Sequence, residues 1–346
     1  MQRQSTKPIR TFTIGFHEDR FDEARYAQQV ATSIGSEHTQ FQLSPQHAME
    51  IIPSLPGIYD EPFADSSQVP TILVTAIARQ HVTVALSGDG GDELFCGYSR
   101  YFNARRIWRF IGGWDARTRR TMATLLQFVS RSAPSNGRLR FRINRLQHRI
   151  AAEDFDDFYG NLLSISLTPT AAGGWPRGLV SSFLLSDIPD QVREMSTRMM
   201  FTDQSLYLPE DILTKVDRAS MAVALELRAP LLDHRIVEFS WQLPESMRVN
   251  GREGKVLLRK LFCRHLPRSL MDRPKHGFEI PIDTWLRQPL RDWMLDLLDS
   301  DKIKREGYLN AKSVAILVGE HLSGRGDHGY ALWPLLMFQS WLQSNV

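Results

Sequence analysis

Apolar positions near the start of the chain alternate between two periods. Arg10 to Phe16 (RTFTIGF) is a short apolar-rich run and predicts a strand. From Phe21 to Ile34, the residues Ala24, Ala27, Val30, Ala31 and Ile34 recur on one side of a helix, and Gly35 stands where it should stop. His38 to Leu43 predicts a second strand. A helix carrying Ile72, Leu73, Ala76 and Ile77 follows, then the apolar run Val82 to Leu86, expected as a buried strand. Strands that alternate with helices predict an α/β fold with a parallel sheet.

Beyond about Tyr101 the pattern changes. No confident strand follows, and arginines crowd the stretch from Arg100 to Arg149, where Asp115 is the only acid. The expected organisation is an α/β lobe over about residues 1–103 and a helical lobe over about 104–346. All strands of the sheet are expected before about residue 100. No internal repeat or low-complexity linker is evident.

Composition narrows the class. The 346 residues have a formal charge of +3, which points neither to nucleic acid nor to a membrane. Two cysteines, Cys96 and Cys263, cannot build a disulfide framework, so a reducing cytoplasm is the expected location. No signal peptide is evident after Met1. The longest apolar run near the end, Tyr330 to Phe338, is too short to span a bilayer and contains Pro334.

The strongest chemical signal is Val82 to Tyr98, VTVALSGDGGDELFCGY. The expected strand runs directly into Ser87-Gly88-Asp89-Gly90-Gly91-Asp92-Glu93. Ligands of parallel sheets sit at the carboxyl ends of the strands, where this loop falls. Glycines let a backbone approach a ligand and present its N–H groups. Three acids would repel a triphosphate unless Mg²⁺ stood between them. A plain Gly/Asp turn is the competing reading. An EF-hand loop fails: counting from Asp89, Gly91 and Arg100 fall where acids are required.

This loop resembles that of the asparagine synthetase family, Ser-Gly-(Glu/Asp)-Gly-x-Asp-Glu-Leu-Phe-x-Gly-Tyr. The earlier segment Asp60-Glu61-Pro62-Phe63-Ala64-Asp65-Ser66 is similar to that family too. The resemblance implies the α/β sheet of the ATP pyrophosphatases, with ATP and Mg²⁺ at the site. It implies that the Ser87-Gly88 backbone contacts the adenylate, that Asp89 lies near the activated acyl group and that Asp92 ligates Mg²⁺. Ile14 matches the strand position whose backbone reads adenine; on its own it reads as core, and the two roles are compatible.

The run from Tyr207 to Asp233, YLPEDILTKVDRASMAVALELRAPLLD, predicts a helix. Pro209, Glu210 and Asp211 suit its first turn, and Ile212, Leu213, Val216, Val223, Ala224 and Leu227 recur at helical spacing. Arg228-Ala229-Pro230 ends it, and Asp233 is placed to cap the next helix. Asp217 and Arg218 read alone as a surface ion pair. The segment also resembles the family's Leu-Pro-x-Asp-x-Leu-x-Lys-x-Asp-Arg-x-Ser-Met run. That makes Asp217 a partner for a catalytic lysine, with Glu226, Arg228 and Asp233 as polar anchors.

Gly254 to Leu266 predicts a basic amphipathic helix opened by Lys255, with Val256, Leu257, Leu261 and Phe262 facing inward. Arg273-Pro274-Lys275-His276-Gly277-Phe278 predicts a rigid turn whose lysine, alone, reads as solvated surface. The family carries a phosphate-binding lysine in a similar segment. The resemblance therefore assigns Lys275 to catalysis and Lys255 to a second phosphate contact, cations suited to charge developing as pyrophosphate departs. The stretch Trp333 to Leu342 resembles the family's last helix, its aromatic stripe reading as core.

Full-length members begin with a glutaminase domain whose nucleophilic cysteine follows Met1; here Gln2 holds that place. A Ser-Gly-Gly-x-Asp-Ser pyrophosphate loop is expected just before RTFTIGF and does not occur. The implied reaction activates aspartate as β-aspartyl-AMP, then amidates it with ammonia, normally drawn from glutamine in a separate glutaminase domain. This chain is expected to be an incomplete catalyst. Two further readings stay open: a non-catalytic fragment or scaffold of the family, or amidation of another carboxylate, for example in polysaccharide biosynthesis. A nucleic-acid role for the arginine-rich stretch lacks any stacking motif or recognised binding module.

Overall fold

The computed structural model describes residues 1–16, 23–132, 143, 146–147, 149–163, 188, 192–270 and 280–345. Two units emerge from internal packing. One comprises Met1–Gly97, Leu208–Trp285 and Ser340–Val346; the other comprises Tyr98–Tyr207 and Leu286–Gln339.

In the first unit, β1 (Arg10–Phe16) and β2 (Glu37–Leu43) pair in parallel with Ile14 opposite Phe41. The helix Ala24–Ile34 connects them, as a parallel pair requires. It ends at Gly35, whose left-handed φ of 71° lets the amide reach back to the carbonyls of Ala31 and Thr32. Ile14, Phe16 and Leu43 are buried on this pair.

A second parallel pair follows the buried helix Gln68–Arg79. Its first strand, β3, is only Val84–Leu86, and its partner is β4, Glu226–Arg228. This corrects two expectations. The strand expected as buried leaves Val84 and Leu86 41% and 48% exposed. A strand also lies well beyond residue 100, inside the run expected to be helical through Leu227. That run is instead a π-helical segment Asp203–Leu213, an α-helix Thr214–Met221, a turn, and then β4.

The turn explains the break. Ala224 takes a left-handed φ of 54°, and the Leu225 amide donates to Ser220 O at 2.9 Å, a Schellman closure. Beyond it the chain extends, and the Glu226 amide donates to Thr83 O at 3.0 Å. Two further residues per strand, β5 (Val249–Asn250) and β6 (Glu253–Gly254), form an antiparallel pair. They precede the helix Val256–Phe262, which is shorter than the expected 254–266. That helix buries Val256 and Leu258, whereas Leu261 and Phe262, expected to face inward, are 45% and 40% exposed. Leu258 joins Leu94 and Phe95 in a core that Ile236 and Val237 flank.

The second unit is helical among the described residues. Helices Ser99–Ile111, Ala116–Ser132, Phe155–Leu163 and Met195–Thr202 bury Tyr101, Phe158, Tyr159, Met199 and Met200. At its centre lies a fully buried carboxylate, Asp203. It accepts from Tyr101 Oη at 2.5 Å, Tyr159 Oη at 2.8 Å and the Arg100 guanidinium at 2.7 Å. Arg100 lies over the Tyr98 and Tyr207 rings, 3.9 Å and 4.5 Å from their centroids.

Candidate functional site

The acidic glycine loop leaves β3 in a fixed direction because the Ser87 amide donates to Arg228 O of β4 at 2.9 Å. Gly90 turns the chain with φ 86°, and the side chain of Leu232 fills the space a Cβ there would need. The single turn Gly91–Leu94 follows, carrying Asp92 and the buried Glu93. Space beside Gly88 is open: nothing lies within 4 Å of a Cβ built there. Ser87 Oγ and Asp89 Oδ2 are buried and have no hydrogen-bond partner. Leaving a carboxylate oxygen dry and unpaired costs stability.

Asp92, the metal candidate, meets Lys255, a phosphate candidate, with Nζ 2.9 Å from Oδ2. The two residues are far apart in sequence and are joined by backbone geometry. The Lys255 amide donates to Phe95 O at 2.9 Å, and the Gly97 amide donates to Asp92 O at 2.8 Å. Cys96 and Lys255 both hold left-handed φ angles, 57° and 56°. Any Cβ on Gly97 would overlap the Asp92 carboxylate and the Lys255 side chain. The ion pair therefore depends on glycine at 97.

Asp89 and Asp217, both expected at the site, line one cavity of about 500 Å³. This lies within the range of small-molecule sites. Thr214, Asp217 and Ser220 reach it from one face of the helix Thr214–Met221, as their three-residue spacing dictates. Pro209 lines it from the π-helical segment, an irregularity often found at functional sites. Glu226 brings a third carboxylate and pairs with Arg228 at 2.7 Å. The lining is acidic, so it favours cations, or anions that arrive with a cation.

Arg218, expected beside Asp217 as an ion pair, instead reaches Asp60 Oδ2 at 3.2 Å. Asp217 is thus left on the cavity wall. The neighbouring Lys215 makes a short ion pair with Asp65, which also accepts from the Ser67 amide and hydroxyl at 2.9 Å and 2.8 Å. Burial pushes the Asp65 carboxyl up, but the Lys215 ammonium and the Ser67 donors prevail and hold it below the usual carboxylate range. Tyr59 Oη donates to Lys215 O at 3.3 Å, and Trp341 Nε1 donates to Asp60 O at 2.6 Å. The 60–66 segment thus braces the helix that carries Asp217, a role its resemblance to the family does not announce. Two acids five apart, facing two cations three apart on a helix, were the available signal. Asp233 does cap the helix His234–Gln242, accepting from the Arg235 amide.

Ile14 is buried in β1, as a core residue would be. Lys275 and the rest of the 273–278 turn lie outside the described residues. Among the described residues no group of three His, Cys, Asp or Glu side chains is placed to hold a metal ion. Mg²⁺ in nucleotide sites needs only one or two carboxylates plus phosphate oxygens, and the unpartnered Asp89 Oδ2 and the half-buried Asp92 fit that requirement.

The family model described as "Asparagine synthase" matches residues 1–343. Asparagine synthetase [glutamine-hydrolyzing] 1 of Bacillus subtilis is 28% identical over 349 residues, covering 98% of this chain and 52% of the relative. A relative in Mycobacterium tuberculosis H37Rv, provisionally named an asparagine synthetase [glutamine-hydrolyzing], is 32% identical over 339 residues, covering 96% and 50%. The mouse asparagine synthetase [glutamine-hydrolyzing] is 32% identical over 160 residues, covering 40% and 27%. The chain spans about half the length of the first two of these relatives. With its family model matched almost from end to end, the chain belongs to the asparagine synthase family.

Proposed function

We propose that the Asp89–Asp217 cavity is the acyl-activating site of an ATP-dependent amide-forming ligase. In this reading the β-carboxylate of aspartate attacks the α-phosphorus of ATP, and pyrophosphate leaves. Ammonia then attacks the acyl carbon of β-aspartyl-AMP, the acyl–oxygen bond breaks and AMP departs. A free carboxylate is a poor acyl donor, and AMP as leaving group removes that obstacle. The ammonia is drawn from glutamine where a glutaminase domain is joined to the site.

The residues divide the work. The Ile14 and Ser87-Gly88 backbones hold the adenylate, Asp89 faces the activated acyl group, and Lys255 and Lys275 neutralise phosphate charge. Asp217 positions Lys275. Mg²⁺, held by Asp92 and phosphate oxygens, would supply charge neutralisation. Asp92 is already shared with Lys255, so cation and carboxylate are pre-arranged for an incoming triphosphate. The observation that carries the reading is that Asp89, whose Oδ2 has no hydrogen-bond partner, lines one cavity together with Asp217.

The test is aspartate-dependent pyrophosphate release from ATP and Mg²⁺ with saturating ammonia, measured for wild type and Lys275→Ala. Aspartate-dependent release that Lys275→Ala abolishes is expected. Release that is indifferent to aspartate or to Lys275→Ala overturns the assignment.

A further inference from the structure

None of the residues assigned to the ligase site lies in the arginine-rich stretch. Residues 100–149 hold thirteen arginines and one acid, a net +12 in a chain whose total is +3. The remainder is therefore acidic, and charge is strongly segregated. Not all of these arginines are free. Arg100 is spent on Asp203, Arg105 donates to Ser196 Oγ, and Arg119 is buried, donating to the carbonyls of Trp114, Ala152 and Glu153.

The helix Ala116–Ser132 has an inward and an outward side. Its inner side buries Arg119 and Ala123. On the opposite side Met122, Leu125, Phe128 and Val129 project together, 37%, 53%, 62% and 54% exposed. Their spacing of three and four residues makes one stripe. Arg117 is exposed at its margin and the helix contains no acid, whereas Arg120 is paired with Glu153 at 2.6 Å. Arg106 and Arg109, exposed on the preceding helix Ser99–Ile111, add further cations near Phe110, which is 75% exposed. Among the described residues no helix is long and apolar enough to cross a membrane.

We propose that the outward face of the helix Ala116–Ser132 is a peripheral docking surface for an anionic lipid bilayer. The helix would lie in the headgroup plane, with Leu125, Phe128 and Val129 entering the acyl boundary and the flanking arginines on lipid phosphates. Charge selects this occupant. A fixed protein interface pairs charges of both signs around a core depleted in charge, whereas here the neighbouring acids Asp115 and Glu153 are already engaged by Thr118 and Arg120, and Arg106, Arg109 and Arg117 leave a surplus of cations around an apolar ridge. A second copy would set arginine against arginine. The inference is independent of the ligase reading.

The experiment is co-sedimentation of the full chain with phosphatidylcholine vesicles, with and without about one third phosphatidylglycerol. Wild type should bind anionic vesicles at least about tenfold better than neutral ones, and binding should weaken as salt is raised. Leu125→Ser with Phe128→Ser should lower the partition coefficient at least about tenfold. Arg117→Gln should lower it about fivefold. Both variants should keep the wild-type thermal midpoint and the same rate of pyrophosphate release. Equal binding to both vesicles, no binding, or indifference to the double variant overturns the proposal. Binding to polyglutamate but not to vesicles overturns it in favour of an acidic protein partner.

Discussion

Asp203 in the helical unit and Asp89 in the strand-bearing unit are both carboxylates with buried oxygens, and their surroundings differ. Asp203 has three donors on its two oxygens, Tyr101, Tyr159 and Arg100. Burial pushes its carboxyl up, and Arg100 and the two phenols oppose that. Burial and the Asp203 charge in turn push both phenols well above the ordinary tyrosine range. Asp89 has a buried oxygen with no partner, and the residue lines a cavity of about 500 Å³. A saturated buried acid holds a fold together. An unsaturated one weakens the fold, and the proposed function gives Asp89 a reason to be there. Burial alone does not separate the two; the count of donors does.

The largest effect should come from breaking the saturated centre. Asp203→Ala leaves the Arg100 guanidinium without its counter-charge in the helical unit, which should cost about 3–5 kcal/mol of stability. Urea denaturation followed by circular dichroism measures this. A loss below about 1 kcal/mol would show that Arg100 finds water instead, and that the knot is not what holds these helices.

The unsaturated centre should respond in the opposite way. Asp89→Asn should leave stability within about 0.5 kcal/mol of wild type, or raise it, because no partner is lost. The same change should lower aspartate-dependent pyrophosphate release about 10²–10³-fold if the carboxylate acts at the reacting centre. Marked destabilisation with unchanged release would place Asp89 with Asp203, as a structural acid.

How much of this was legible in the sequence follows from range. Local signals read well: the β1 and β2 runs, the Ala24–Ile34 helix stopped by Gly35, and the cap at Asp233. The acidic loop was found from its glycines and acids. Its connection to Lys255 came only from a resemblance, because nothing local says that residue 255 should meet residue 92. The three-residue strand Glu226–Arg228 was read as helix. Val223, Ala224 and Leu227 fit a period of 3.6, and the break at Ala224 carries no glycine to announce it. The Asp203 knot joins residues about 40 to 100 apart and has no motif.

Lys215–Asp65 falls between the two extremes, since its side chains are 12% and 21% exposed. Asp65 is held below the usual carboxylate range, so it stabilises the fold above its unfolded value of about 4. That contribution is lost as pH falls through the lower folded value. Lys215→Met should therefore cost about 1–3 kcal/mol at pH 7. The gap from wild type should narrow as pH drops below about 4. Urea melts at both pH values measure it. A gap that stays constant with pH would mean that Lys215 contributes packing rather than charge.

The smallest effect concerns backbone strain beside the cavity. Ala224 closes the helix that carries Asp217 and Ser220, and it starts the turn into the strand that carries Glu226. Its φ of 54° places Cβ against the following carbonyl, a conformation costing an L-residue about 1 kcal/mol. Glycine has no such penalty but loses more freedom on folding, which offsets about half of the gain. The methyl group is exposed, so removing it forfeits little burial. Ala224→Gly should therefore raise stability by about 0.5 kcal/mol, while Ala224→Val, branched at the strained position, should lower it by about 1 kcal/mol or more. Paired thermal melts of the two variants decide the point through their opposite signs. Two changes of the same sign would show that the turn relaxes away from the left-handed region when substituted. The cavity wall would then be adaptable where the Asp203 centre, with every oxygen engaged, is not.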